Sequence, residues 1–369
     1  MKMKIIVGMS GGVDSSVAAL LLQKQGYEVE ALFMRNWDST VNNDFEGNPD
    51  LNNDICPQEQ DYNDAKDVCD KLGIKLHRVD FVKEYWNHVF TYFLDELKKG
   101  RTPNPDIMCN KYIKFDYFLK KAKDLGAEKI ATGHYAKIQD GLLKKAKDTN
   151  KDQTYFLSFL SKDQLKDVLF PLGDLTKDEI RNIALENDLS VAKKKDSTGI
   201  CFIGERNFSK FLTNYLSNKE GNIIDIQTNK KLGTHIGLMH YTIGQRKNLG
   251  LGGAANKIYV CGKDIDKNIL YVAEGGSEEY LISTSCIIED INDLDIKDNS
   301  EYNAKFRYRS KDIKVKINKL EDDNILVSYD MAKSITPGQV CALYNDNNIL
   351  IGAGIIKTIQ KDNKKLWYL

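Results

Sequence analysis

The sequence has no Cys-x-x-Cys pair, no apolar run approaching the roughly 18 residues of a membrane-spanning helix, and no surplus of either charge. Each absence removes a class of protein. Without paired cysteines, neither a zinc ribbon nor a cysteine-held iron–sulphur centre is indicated, and no metal site is expected. The seven cysteines are odd in number and irregularly spaced, which suits a reduced compartment. With no signal-type apolar region at the N-terminus, a cytoplasmic protein making no membrane contact is expected. Lys plus Arg and Asp plus Glu both number 53, so any nucleic-acid contact must come from local patches. There is no internal repeat and no low-complexity tail. What remains is 369 residues, 41% apolar, enough for two or three domains that each bury a core.

The most informative stretch is Gly8-Met9-Ser10-Gly11-Gly12-Val13-Asp14-Ser15-Ser16. It lies between the strand-like run Lys4-Ile5-Ile6-Val7 and a helix-like run over 17–25 closed by Gly26. A strand that turns through glycines into a helix start gathers backbone N–H groups around an anion, and the helix dipole adds positive potential. A Walker A loop places a lysine just before its Ser/Thr; here Asp14 precedes Ser15, and the loop has no lysine. Ser10-Gly11-Gly12-Val13-Asp14-Ser15 is instead similar to the pyrophosphate loop of enzymes that split ATP into AMP and pyrophosphate to adenylate an oxygen.

Strand-like runs at 4–7, 28–33, 75–79 and 129–132 alternate with helix-like runs near 15–25, 60–72, 82–98 and 110–125. That order predicts an α/β domain: a parallel sheet with helices on both faces and its ligand site at the strands' C-terminal ends. Residues 36–60, rich in Asn and Asp and lacking Lys and Arg, read as a surface insertion. Thr176-Lys177-Asp178-Glu179 is a capping-box helix start. Beyond about residue 210, glycines and short β-rich runs dominate. Period-two alternation then appears, as in Ile313-Lys314-Val315-Lys316-Ile317. The expected division is a catalytic domain over 1–208, a small Gly-rich module over 209–282, and a C-terminal β-barrel over 283–369.

Two cysteines stand in loop-like settings. Arg101-Thr102-Pro103-Asn104-Pro105-Asp106-Ile107-Met108-Cys109-Asn110 gives a rigid approach to a helix expected from about Asn110, which places Cys109 at a helix N-terminus. Cys201 lies in Asp196-Ser197-Thr198-Gly199-Ile200-Cys201-Phe202-Ile203-Gly204, after three lysines. Either thiol alone reads better as a structural buried cysteine, and its polar, Gly- or Pro-marked setting shifts the reading towards chemistry. Asp106 reads equally as a helix cap or as an acid/base group. Residues 305–319 carry seven basic side chains and one acid, interleaved with Phe306 and Tyr308. That suits phosphate contact with stacking, or simply a solvated strand face. Gly250-Leu251-Gly252-Gly253-Ala254-Ala255 mimics a dinucleotide fingerprint without its βαβ context, and His235 with His240 lacks further ligands.

Taken together with Ala131-Thr132-Gly133-His134-Tyr135-Ala136, Tyr241-Thr242-Ile243-Gly244-Gln245-Arg246-Lys247 and Thr336-Pro337-Gly338-Gln339, these segments resemble the tRNA-specific 2-thiouridylases over most of the chain. The resemblance implies ATP-dependent 2-thiolation of a wobble uridine in tRNA, with adenylation of the C2 oxygen and sulphur supplied from a cysteine persulphide. It implies ATP contact by Gly8, Met9, Ser10, Gly11, Gly12, Val13, Asp14 and Ser15, by Met34 on the adenine side, and by Gly133, with magnesium accompanying the phosphates. It makes Cys201 the persulphide carrier and Cys109 the second catalytic thiol, the two ending as a disulphide. Asn104, Pro105 and Asp106 resemble the target-base segment. His134, Lys151, Asp152, Gln153, Arg307, Tyr308, Arg309 and Gln339 match tRNA-contact positions. The implied partners are tRNA and a sulphur-donor protein; a monomer is expected. Two rivals are a pyrophosphate-loop synthetase of the amidotransferase type, for which no N-terminal glutaminase cysteine is present, and an RNA-binding module with a catalytically silent nucleotide site.

Overall fold

The computed structural model describes residues 2–49, 56–196, 203, 206–251, 257–275 and 278–368. The chain divides into two compact units: Met1–Thr91 with Pro105–Asn207 and Asn345–Ile351, and Tyr92–Asn104 with Phe208–Tyr344 and Gly352–Leu369.

In the first unit, β1 (Lys4–Gly8) leads into α1 (Val13–Lys24), followed by β2 (Glu28–Arg35), α2 (Pro57–Leu72) and β3 (Leu76–Asp80). A helical run then comprises α3 (Val82–Tyr85), a π-helical turn (Trp86–Phe90) and α4 (Thr91–Lys98), of which all but Thr91 is counted with the second unit. A second comprises α5 (Pro105–Met108), a π-helical stretch (Cys109–Tyr117) and α6 (Phe118–Asp124). After β4 (Lys129–Ala131) come the hairpin β5 (Lys137–Gln139) and β6 (Leu142–Lys144), then α7 (Lys162–Lys166), β7 (Val168–Leu169) and α8 (Lys177–Glu186). The parallel sheet has the order β3-β2-β1-β4-β7. Connections run one way from β1 to β2 and β3 and the other way to β4 and β7. The crevice at the C-terminal ends of β1 and β4 is therefore a topological switch point, where such sheets bind ligands. β1 is central, so Ile5, Ile6 and Val7 are all fully buried and the strand reads as a continuous apolar run. Val17 and Leu20 of α1 pack with Ile180 and Ala184 of α8 in one core cluster.

Two local expectations change. The helix expected from about Asn110 begins at Pro105, so Cys109 is its fifth residue, where α-helical turns give way to π-helical ones. Proline's fixed φ suits the first helical position, so the second proline starts the helix it was read as delaying. The insertion is not purely superficial either: Asn36, Trp37, Asn42 and Asp44 are buried.

The second unit contains α9 (Phe208–Thr213), then β8 (Gly221–Asp225), β9 (Lys231–His235), β10 (Ile258–Asp264) and β11 (Ile269–Glu274) in a sheet of order β10-β11-β8-β9. The barrel follows: β12 (Ile282–Asp293), β13 (Glu301–Lys305), β14 (Ile313–Lys319), β15 (Ile325–Lys333), β16 (Val340–Tyr344) and β17 (Leu350–Lys361), with β18 (Lys364–Lys365) beside β17. Because β12 pairs with both β15 and β17, the ring closes on six strands and removes the open edges. Val315 and Ile317 of β14 face inward between exposed Lys314 and Lys316, as the alternation requires. The α/β sheet followed by a small β module and a C-terminal barrel is the fold class read from the sequence.

Candidate functional site

The loop between β1 and α1 is built to receive an anion. Gly12 caps α1 in extended backbone with no side-chain cap bond. Among the described residues, the amides of Gly11, Gly12, Val13, Asp14 and Ser15 donate to no protein acceptor; the first paired amide is that of Ser16, to Gly12 O at 3.3 Å. These are the orphan donors of a helix N-terminus. The loop is held in shape by its own hydroxyls: Ser15 Oγ lies 3.1 Å from Ser10 Oγ, and Ser16 Oγ donates to Gly12 O at 2.8 Å. Gly11 has φ +73°, and a Cβ there would lie 2.1 Å from Asp61 O. Met9 is buried beneath the loop, and Met34 is the penultimate residue of β2, at the same C-terminal end of the sheet.

Gly133, just beyond β4, presses against the loop from the other side. A Cβ there would lie 2.7 Å from Ser15 N and 2.8 Å from Asp14 C. Gly133→Ala must push the start of α1 aside. Overpacking of about 1–3 kcal/mol corresponds to nucleotide affinity reduced about 5- to 150-fold, measurable by titration calorimetry with ATP.

Sequence reasoning found no lysine in the loop, and the structure brings one from elsewhere. Lys177 opens α8, and its Nζ lies 2.8 and 2.9 Å from the two carboxylate oxygens of Asp14 and 2.8 Å from Asp196. Tyr135 OH donates to Asp14 at 2.8 Å. Asp196 also pairs with Lys151 at 2.7 Å and Arg181 at 3.1 Å. Partial burial would raise the Asp196 carboxyl, but Lys151 and Lys177 outweigh it and hold it at about 2. Lys194 Nζ donates to Gly11 O at 2.9 Å and pairs with Asp61 at 2.7 Å, gripping the loop from outside. The one local sign of Lys177 was its capping box, in which Thr176 and Glu179 exchange hydrogen bonds.

Cys109 is fully buried in its helix. Its neighbour Asn110 donates to Phe156 O at 2.9 Å, while Asn110 Oδ1 is buried with no partner among the described residues. Asp106 sits in the first turn, half-buried, as does Pro105. Cys201 lies outside the described residues, as do residues 252–256 of the rejected dinucleotide pattern. Around Cys201, Ile203 is buried and Asp196 and Arg206 are both ion-paired. Cys56 is exposed as the N-cap residue of α2, whereas burial pushes the Cys69, Cys261 and Cys286 thiols up to about 12. Among the described residues, no group of three or more His, Cys, Asp or Glu is arranged to hold a metal ion.

The remaining residues of the expected interface fall into three kinds. Asp152 and Gln153 are committed internally: Asp152 accepts from Ala146 N and Thr154 Oγ1, and Gln153 Oε1 accepts from Tyr135 N at 2.9 Å. They shape the segment that carries Gly133 and His134. His134 Nδ1 is 2.8 Å from Thr132 Oγ1, and burial, with Lys114 nearby, holds its ring well below the usual histidine range and therefore neutral. In the second unit, Gln339 Nε2 donates to Thr102 O at 2.6 Å, and Thr102 N donates to Pro337 O at 2.9 Å. The 336–339 turn thus fixes the segment leading to Asn104. Arg307 donates to Ile243 O and Thr336 Oγ1, and Arg309, at φ +62°, lies 5.1 Å from the Tyr308 ring. Phe306 is a correction: it is buried edge-on to Tyr329 in the barrel and so is not offered for stacking, whereas Tyr308 is only partly buried.

Known proteins match this chain along its length. Family models described as a tRNA methyl transferase HUP domain, a tRNA methyl transferase PRC-barrel domain and an aminomethyltransferase beta-barrel domain match residues 3–205, 209–274 and 283–356. A protein named tRNA-specific 2-thiouridylase MnmA from Mesoplasma florum is 58% identical over 98% of this chain and 100% of its own length. The proteins of the same name from Mycoplasmopsis synoviae and Staphylococcus carnosus are 57% and 50% identical, over 100% and 99% of this chain and 99% and 98% of their own lengths. With half or more of its residues shared with these relatives from end to end, the chain belongs to the tRNA-specific 2-thiouridylase family.

Proposed function

We propose that this chain replaces the C2 oxygen of a tRNA wobble uridine by sulphur, using ATP as co-substrate. The observation that supports this best is the anion cradle: five amides on a glycine loop that donate to no acceptor among the described residues, with Lys177 at its carboxylate. A pyrimidine carbonyl oxygen is a poor leaving group. Attack by that oxygen on the α-phosphorus expels pyrophosphate and leaves AMP at C2, a good leaving group. The loop amides stabilise the departing pyrophosphate, and Lys177 supplies the cation that a Walker lysine would otherwise bring. Magnesium chelated by the triphosphate needs only one or two protein carboxylates, a demand Asp14 fits; when bound it neutralises phosphate charge.

In this reading Cys201 carries the terminal sulphur as a persulphide. Either the persulphide attacks C2 and displaces AMP, after which Cys109 attacks the Cys201 sulphur and frees the thiouridine, or Cys109 first releases hydrosulphide that attacks C2. Both routes leave a Cys109–Cys201 disulphide, which a thiol reductant reopens. Asp106 is the acid/base candidate, and Asn104 to Asp106 meet the base. His134, Lys151, Arg307, Tyr308, Arg309 and Gln339 contribute to the tRNA surface, with Asp152 and Gln153 shaping it from beneath. The working parts are 1–208 for catalysis, 209–282 as a spacer module and 283–369 as a tRNA-holding barrel. A sulphur-donor protein, a cytoplasmic location and a monomer complete the proposal.

Incubation of the chain with tRNA, ATP and a persulphide donor is expected to yield 2-thiouridine with AMP and pyrophosphate in equal amounts, read by nucleoside mass spectrometry and a pyrophosphate assay. Pyrophosphate release indifferent to tRNA would favour a small-molecule synthetase.

A further inference from the structure

The polar segment 36–49 buries charge, which its composition gave no reason to expect. Asp44 is fully buried, and its Oδ2 accepts from Trp37 Nε1 and from Arg206 Nε, both at 3.0 Å. The Arg206 side chain is itself only 7% exposed. The next residue, Asn207, donates its amide to Gly47 O at 3.1 Å. Trp37, which orients Asp44, is wedged edge-on to Tyr85 and Phe90. Taking an aspartate and an arginine out of water is unfavourable unless further hydrogen bonds are made; Trp37 supplies one at Asp44 Oδ2, whereas Oδ1 is buried with no partner among the described residues. An insertion serving solvation alone would leave those charges outside.

Arg206 follows Cys201 by five residues, and Asp196 precedes it by five. Asp196 is bound by Lys151, Lys177 and Arg181, so charge pairs hold the chain on both sides of Cys201. On the leading side, Lys177 also joins this anchor to Asp14 of the nucleotide loop.

We propose that segment 36–49 is a clamp for the Cys201 stretch, with Asp44 a positioning residue that acts through Arg206 on the sulphur-transfer step. This rests on Cys201 being the sulphur carrier. Asp44→Asn keeps the shape and removes the charge. The variant is expected to thiolate tRNA at least about tenfold more slowly, while tRNA-dependent pyrophosphate release stays within about twofold of wild type. By nuclear magnetic resonance, the Asn207 amide should exchange at least about tenfold faster and the Trp37 indole signal should shift, with β1 and α1 amides unchanged. Asp44→Asn combined with Arg206→Gln replaces the ion pair by a neutral pair and should recover thiolation to within about threefold of wild type, with melting temperatures read alongside to separate this coupling from a change in overall stability. Unaltered thiolation in Asp44→Asn, equal loss of both half-reactions, or unchanged Asn207 exchange would each overturn the clamp. Cys201→Ser is run alongside: if it still thiolates, the sulphur-carrier reading fails, while Asn207 exchange still decides whether Asp44 anchors Arg206.

Discussion

Cys201→Ser and Cys109→Ser are each expected to abolish 2-thiouridine formation while leaving tRNA-dependent pyrophosphate release within about threefold of wild type. The split follows from the division of labour. Adenylation needs the loop amides, Asp14, Lys177 and a docked uridine, none of which is a thiol. Sulphur transfer needs both cysteines, because the persulphide bond must break at one sulphur and re-form at the other. Cys109 is fully buried, so a serine hydroxyl there carries a desolvation cost of about 1–3 kcal/mol. Cys109→Ala, melted alongside, separates lost chemistry from lost stability. The Cys109 variant also chooses between routes. If the persulphide attacks C2 directly, a Cys201–S–S–C2 adduct accumulates on tRNA because nothing resolves it, and it appears as a reductant-sensitive protein–RNA band. If hydrosulphide is released first, no adduct forms. Thiolation surviving either serine substitution would remove both routes together.

How much of this was legible in the sequence depended on distance along the chain. The β1–loop–α1 unit could be read because strand, glycines and helix are contiguous, and the core face of β14 because Ile313, Val315 and Ile317 alternate with lysines. The start of α5 was misread because two prolines suggested a non-helical approach, although proline is favoured at the first helical position. The burial of Asp44 could not be seen, since an Asn- and Asp-rich segment reads as solvated until its arginine is located 162 residues away. Phe306 belonged to the barrel core rather than to a stacking surface because strand register, absent from composition, decides which face a side chain occupies. Gln339 is a similar case. Its amide holds the backbone of Thr102, and that long-range pairing has no signature in either local sequence.

Lys177→Gln is expected to lower the rate constant of tRNA-dependent pyrophosphate release by about 10²–10³, with a smaller change in KM for ATP, because a cation facing pyrophosphate is worth most as charge develops on it. The ammonium is shared by Asp14 and Asp196, 163 and 19 residues away in sequence, and its side chain is 11% exposed. That position lies at the start of α8 rather than on the loop, yet it delivers the charge to the loop's one carboxylate. Lys177→Arg should retain much of the rate because charge and reach are kept, although guanidinium geometry differs. A purely structural lysine would behave otherwise: both variants would lower the melting temperature and leave the rate constant of the folded fraction intact. The acid limb of stability tests the same network. Asp196 is held at about 2 against an ordinary 3.8, so its contribution is fully present above that ordinary value and lost as pH falls towards 2. Removing the Lys177 ammonium raises the folded-state value, and the acid unfolding midpoint of Lys177→Gln should move upward in pH, followed by circular dichroism. An unchanged acid midpoint together with an unchanged rate constant would take Lys177 out of the site.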